Sequence, residues 1–348
     1  MHAIQLDAVG APLVDRDVPV PEPGPEDALL RVRAAGICRS DLHYTTGASY
    51  AGPLPLTLGH EVAGTLESAG SEAASTLADR GIEAGSRVAV HYLVSCGNCS
   101  HCIAGREQFC NRGQMIGKHR DGGMAEYLCL PARNLVAVPE SVALEAAAVM
   151  MCSTATALHA LRKAELAAGD RVAVFGVGGL GMSAVQLARA MGAIEVYAVD
   201  VDGERLELAR TMGAVPINAR ETDPVAALRD LTAGGVDCAV ELLGLPVTID
   251  QAIRSLGPLG RVAIAGIAET PVSIETYRDV VGREAKIVGV SDHTRGEIEY
   301  ALELAAKGAL RFEEVVTATL PLEASAVNGA LASLARFGPG VRSVVVPA

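Results

Sequence analysis

The sequence predicts an α/β protein of two domains, one β-rich and one built on a doubly wound parallel sheet. Three observations carry this expectation. The chain has 348 residues, and domains usually hold about 100–200 each. Its first part reads as short β-like runs punctuated by Pro and Gly. From residue 154 onward, short apolar runs alternate with segments of helical spacing. That alternation places parallel strands beside crossover helices.

Each element has its own signal. Ala3 to Leu6 and Ala28 to Arg33 are strand-like and flank a connection carrying Pro19, Pro21, Pro23 and Pro25. Prolines cannot donate to a ladder, so that stretch separates strands. Val62 to Glu67 and Arg87 to Val90 add further β-like runs. In the second part, Val172 to Phe175 is a short apolar run, followed by a glycine loop and a helix over Met182 to Met191. Strands are expected at Glu195 to Val199, Cys238 to Glu241, Val262 to Ala265 and Ile287 to Val290. Helices are expected at Glu204 to Met212, Val247 to Leu256 and Ile298 to Lys307, with a last strand at Ser343 to Val346.

Composition narrows the class. Half of the residues are hydrophobic and 20% are charged, which supports a large core and excludes global disorder. With 29 Lys and Arg against 41 Asp and Glu, the net charge is −12. Such a balance argues against nucleic-acid or anionic-membrane partners, and surface solvation is its plain role. The start, Met-His-Ala-Ile-Gln-Leu-Asp, lacks the basic and apolar regions of a signal peptide. Val172 to Ala188, the longest weakly polar stretch, holds four glycines, Ser183 and Gln186, a poor membrane span. A cytoplasmic location is expected, so the eight cysteines point to metal or catalysis rather than disulfides.

Gly176-Val177-Gly178-Gly179-Leu180-Gly181 fits G-x-G-x-x-G, follows a strand and opens a helix. The first glycine permits a tight turn, the second a close approach to pyrophosphate, and the third helix-on-strand packing. The helix N-terminus adds free N–H groups and a positive dipole end. Asp200 lies 19 residues after Gly181, where an acid can bind ribose hydroxyls and repel a 2′-phosphate. NAD is favoured over NADP on that ground. The bland alternative is a glycine turn with a strand-end acid. Arg205 either reaches the adenosine ribose or is a solvated helix residue.

Cys96, Cys99, Cys102 and Cys110 are separated by two, two and seven residues, in a loop with Gly97, Asn98 and Gly105. Four thiols so close suit a closed tetrahedral zinc site that ties its loop together. An iron–sulfur cluster is the lesser alternative, and His101 is not needed. Cys38, His60 and Cys152 are dispersed, and each alone could be an ordinary core or loop residue.

Taken with Gly36-Ile37-Cys38-Arg39-Ser40-Asp41-Leu42-His43 and Gly59-His60-Glu61, these motifs resemble the zinc-dependent medium-chain alcohol dehydrogenases. The resemblance spans essentially the whole chain. It implies a GroES-like catalytic domain over residues 1–153 and 292–348, and a Rossmann NAD-binding domain over 154–291. It implies two zinc ions per chain and a homo-oligomer, a tetramer more readily than a dimer. Cys38, His60 and Cys152 would hold the catalytic zinc, and the quartet the structural one. Two cysteines, one histidine and an open fourth position form the set that alcohol dehydrogenases themselves exemplify. Glu61 would sit beside the metal and enter its coordination during water exchange, and Asp41 would orient His60. Arg39 and Arg342 would hold the pyrophosphate. The zinc would lower the alcohol's pKa, the proton would leave through Ser40, a ribose hydroxyl and His43, and hydride would pass to the nicotinamide.

Two stretches depart from the family pattern. Ser71 to Gly81 is longer than is common, and Met115 to Gly123 is shorter than in the vertebrate enzymes, which would reshape the cleft mouth. Tyr92 and Ile267 are expected to line the substrate pocket. Rival functions on this fold are a polyol dehydrogenase, for which a carboxylate third ligand would be usual where Cys152 stands, and a pathway-specific carbonyl reductase. A non-catalytic zinc- and nucleotide-binding protein is the rival from another class. Cys129 and Cys238 are expected in the core.

Overall fold

A computed structural model describes all residues, 1–348, as two compact units. The first joins Met1–Cys152, Thr294–Ala306 and Val315–Ala348; the second joins Ser153–His293 and Lys307–Glu314. The sequence boundaries had placed 307–314 with the first unit. In the structure Gln186 holds that segment, accepting from the Arg311 amide at 2.7 Å and donating to its carbonyl at 3.1 Å. The Arg311 guanidinium also reaches the Thr211 carbonyl at 3.2 Å.

The first unit is built on a seven-stranded sheet. Asp27–Gly36 lies at its centre, paired with Glu61–Ala69, Tyr127–Pro131 and Arg342–Val346. Arg87–Val90 and Leu135–Ala137 extend one side and Val316–Pro321 closes the other. The edge strand Val316–Pro321 alternates half-buried and exposed residues, the period-two pattern of a strand with one wet face. A three-stranded sheet, Val14–Asp17, His2–Leu6 and Leu56–Thr57, completes the unit. Its core gathers Ile4, Leu30, Leu58, Val62, Val88, Ile116, Leu128 and Leu130. Each such side chain, fully buried, contributes about 1.5–3 kcal/mol relative to exposure.

The second unit carries six parallel strands in the spatial order Val215–Asn218, Glu195–Asp200, Arg171–Phe175, Val236–Glu241, Leu256–Ile264, Lys286–Gly289. Arg171–Phe175 is apolar and buried after its first residue, as expected of a central parallel strand covered on both faces. From it the chain winds first to one side, then returns to place Val236–Glu241 on the other. That reversal is a topological switch point, where open α/β sheets bind ligands outside the carboxyl ends of the strands. Asp202 caps the helix Gly203–Thr211 by accepting from the Glu204 and Arg205 amides.

Several elements carried no sequence expectation: the helices Arg39–Thr46, Ala73–Ala78, Pro224–Leu231 and Ala324–Ala335, and the strand Val215–Asn218. One further helix, Leu144–Lys163, is long and apolar enough to cross a membrane, yet 83% of its most apolar window is buried inside the protein. It therefore serves as a core helix.

Candidate functional site

The loop after strand Arg171–Phe175 turns at Gly176, whose φ of +87° favours glycine. The helix Gly179–Ala190 begins after Gly178. A Cβ on Gly181 would collide with the Gly176 carbonyl, so the helix packs against the turn only because no side chain intervenes. Gly178 is different: a Cβ there would meet no protein atom. Its openness leaves the backbone approachable from outside, which fits a bound pyrophosphate. Leu180 lies in the first turn of the same helix.

Asp200 ends the neighbouring strand and is almost buried. Its Oδ2 accepts from the Val177 amide at 2.8 Å, and its Oδ1 from the Val201 and Asp202 amides at 2.7 and 3.0 Å. The acid thus fixes the glycine loop. Arg205 lies 3.8 Å from Asp202 and is mostly buried, so the solvated-helix reading does not describe it.

In the first unit, the Cys96, Cys99, Cys102 and Cys110 side chains converge. Cys99 Sγ lies 3.5 Å from Cys102 Sγ, and Cys96 Sγ 3.9 Å from Cys102 Sγ. A disulfide needs about 2.05 Å. A tetrahedron with Zn–S bonds of about 2.3 Å has edges of about 3.8 Å, and these separations match it. The Asn98 amide is the leading influence holding the Cys96 thiol down to about 5, while burial and the Cys99 thiol push Cys102 up to about 11. Thiols that divide their protons in this way suit a cation that takes them all as thiolates. Cys99→Ser is expected to lower the melting temperature by several degrees before it affects chemistry, read by thermal unfolding; an unchanged transition would refute a structural role.

The second cluster is buried. Ligating atoms of Cys38, His60, Glu61 and Cys152 all lie within 4.8 Å of one another. Cys38 precedes the helix Arg39–Thr46, and His60 and Glu61 sit at the start of the strand Glu61–Ala69. Cys152 comes from a π-helical turn, Met150–Thr154, inside the long core helix; such bulges re-aim side chains and recur at functional sites. Asp41 explains the local geometry. Its Oδ2 accepts from the Cys38 amide at 2.9 Å, closing the first helical turn, and its Oδ1 faces His60 Nδ1 at 3.4 Å. With Nδ1 turned to a carboxylate, Nε2 is left for a metal. The Cys38 thiol is held well below its usual range, first by the Cys152 thiol, and Cys152 is pushed up by the same contact. Two sulfurs and one imidazole are a zinc donor set, and this one fits.

Other expected site residues fall as follows. Ser40 lies 3.7 Å from Cys38 Sγ, and His43, three residues on, shares its face of the helix. Tyr92 is buried and packs edge-on against His60 at 5.2 Å. Arg39 donates to the Leu334 carbonyl at 3.1 Å and lies over the Phe337 ring at 4.2 Å. The Arg342 guanidinium is buried and paired with Glu61. Ile267 is 71% exposed, its backbone close against Gly244. Tyr44, 6.4 Å from the His60 ring, was not anticipated; only its position on the Cys38 helix could have suggested it. Cys238 is buried as expected, whereas Cys129 is only half-buried.

A β-rich unit with two thiol-bearing donor clusters, and a parallel unit with a dinucleotide-type loop, together define a zinc-binding dehydrogenase. Residues 24–140 match the alcohol dehydrogenase GroES-like domain family, and residues 179–307 the zinc-binding dehydrogenase family. An alcohol dehydrogenase of Geobacillus stearothermophilus is 33% identical over 93% of each chain. An L-threonine 3-dehydrogenase of Symbiobacterium thermophilum is 30% identical over 93% of this chain and 92% of that one. Among solved structures, a Sinorhizobium meliloti protein described as a zinc-binding dehydrogenase, bound to NADP, superposes with a TM-score of 0.90 at 32% identity, covering 99% of both chains. This chain belongs to the zinc-dependent medium-chain dehydrogenase family.

Proposed function

We propose that the protein is an NAD-dependent alcohol dehydrogenase that interconverts primary or secondary alcohols with aldehydes or ketones. The buried Cys38, His60 and Cys152 set carries this reading. A thiol rather than a carboxylate at residue 152 sets it apart from the polyol and threonine readings, which the threonine dehydrogenase relative keeps relevant.

Bound zinc would supply Lewis acidity at the alcohol oxygen, and bound NAD the hydride acceptor. The chain's own residues do the rest. Two thiolates and a neutral imidazole would hold the cation, the two thiolate charges offsetting the metal's own. Asp41 fixes the imidazole's orientation and tautomer. Ser40 takes the alcohol proton, and His43 on the same helical face passes it outward. Glu61, buried and paired with Arg342, stands beside the ligands. Gly178 and the helix Gly179–Ala190 receive the pyrophosphate, and Asp200 the adenosine ribose.

The test is a panel of primary, secondary, aromatic and polyhydric alcohols, each with NAD and with NADP, followed by NADH absorbance. Turnover of simple alcohols with NAD is expected; activity confined to polyols or threonine would overturn the substrate reading. Asp200→Gly is expected to cut the NAD-over-NADP preference about tenfold or more, because an acid facing a 2′-phosphate costs at least about 1.4 kcal/mol. An unaltered ratio would refute the ribose role.

A further inference from the structure

The segment Met115 to Gly123 bears three consecutive basic residues, Lys118, His119 and Arg120. All three are half-buried. Backbone hydrogen bonds hold the segment. The Gly52 amide donates to the Lys118 carbonyl at 2.9 Å, and the Gly117 amide to the Arg120 carbonyl at 2.8 Å. His119 is fixed as well, its Nδ1 accepting from the Met115 amide at 2.9 Å and its ring tilted against that of Tyr50 at 6.3 Å. Tyr50 is 71% exposed, so this wall borders solvent.

Lys118 is the informative residue. Its ammonium lies 5.6 Å from the centre of the Tyr44 ring. The same ring meets His60 edge-on at 6.4 Å. One buried aromatic ring therefore separates a half-buried ammonium from a ligand of the proposed reaction centre. Acids outnumber bases by twelve in this chain, yet the partner of this ammonium is a ring rather than a carboxylate. A cation–π contact positions a lysine while leaving all three N–H donors unused. Held this way near a partly desolvated site, the charge attracts an anion more strongly than a fully solvated lysine would.

We propose that Lys118 is a specificity residue that binds an anionic group, carboxylate or phosphate monoester, at the far end of an alcohol or carbonyl substrate. This rests on the dehydrogenase reading above and narrows its substrate class to ω-functionalised molecules. The reacting carbon sits at the Cys38, His60 and Cys152 set, and a short carbon spacer leads past Tyr44 to the ammonium. His119 and Tyr50 flank that end without carrying its charge.

The experiment compares kcat/KM for ω-hydroxypentanoate, ω-hydroxypentyl phosphate and pentanol, in wild type, Lys118→Gln, Lys118→Arg and Lys118→Glu, with NAD and with NADP. Wild type is expected to favour at least one anionic substrate over pentanol. Lys118→Gln should lower that anionic-to-neutral ratio tenfold or more, Lys118→Glu should invert it, and Lys118→Arg should largely preserve it. Dividing by pentanol removes any general loss of folded enzyme. Which anion shows the larger change identifies carboxylate or phosphate as the natural group. A ratio that does not move in Lys118→Gln and Lys118→Glu overturns the proposal while leaving the dehydrogenase reading intact. If none of the three substrates turns over, the simple-alcohol reading fails by itself. Calorimetric binding of ω-hydroxypentanoate and ω-hydroxypentyl phosphate to wild type and Lys118→Gln then decides the anion site, which equal affinities would overturn.

Discussion

Cys38→Ser is expected to abolish the buried metal site and to cut turnover about a thousandfold, the several kcal/mol that a Lewis acid supplies to such a step. Serine cannot stand in for this ligand, because the thiol binds as a thiolate and a hydroxyl would have to ionise to match its charge. The Cys38 thiol is already held well below its usual range, first by Cys152 and then, against the cost of burial, by His60. A serine hydroxyl in the same place would stay protonated. Metal analysis should show zinc falling from two ions per chain to one, with the Cys96 quartet still loaded. Nucleotide binding should persist, since its loop is built in the other unit. A variant that keeps both zinc ions and wild-type turnover would sink the assignment. His60→Ala should behave alike, whereas Asp41→Asn should cost less, about 10–100-fold, because it disturbs a ligand's orientation rather than removing the ligand.

The legible parts of this molecule are those whose signal is local. Val172 to Phe175, the glycine loop and Asp200 occur within one short stretch, and period, turn chemistry and strand-end acid agree there. The cysteine quartet is legible for the same reason: its four thiols lie within fifteen residues. Cys38, His60 and Cys152 belong together only through strand pairing and a π-helical turn far along the chain, so spacing could not unite them and a family resemblance had to. Helix Arg39–Thr46 was missed because its sequence, Arg-Ser-Asp-Leu-His-Tyr-Thr-Thr, has few apolar residues to show a period. Helix Leu144–Lys163 was missed for the opposite reason. Its first part is the obstacle: Ala146 to Ala155 is buried on every side, as core helices are, and so shows no amphipathic face. Val215–Asn218 contains Pro216, a residue that argues against a strand unless the strand lies at a sheet edge, and there it lies.

Arg342 and Glu61 give the second large effect. Arg342 rides on the strand Arg342–Val346, whose neighbour in the sheet is Asp27–Gly36; that strand in turn pairs Gly36 with Glu61. Sheet register therefore brings the two side chains together, 281 residues apart in sequence. Both are buried. Glu61 is pushed up to about 8, chiefly by burial with Cys38 and Asp41 adding to it, against the opposing pull of Arg342 and His60. Arg342→Met is expected to destabilise the chain by up to about 3–5 kcal/mol above about pH 8, where Glu61 is ionised, because breaking a buried pair leaves one charge uncompensated. Glu61→Gln in the same chain should recover most of that loss, because an amide needs no counter-charge. Denaturant unfolding of wild type, both single variants and the double variant gives the coupling energy directly. Near-additive losses would mean that the pair merely coexists and that Arg342 is held by the strand alone. A strong coupling would make Arg342 a positioning residue for the ligand cluster, acting through Glu61. The phosphate role expected from the sequence is separate from that coupling, and the nucleotide affinity of Arg342→Met reads it directly.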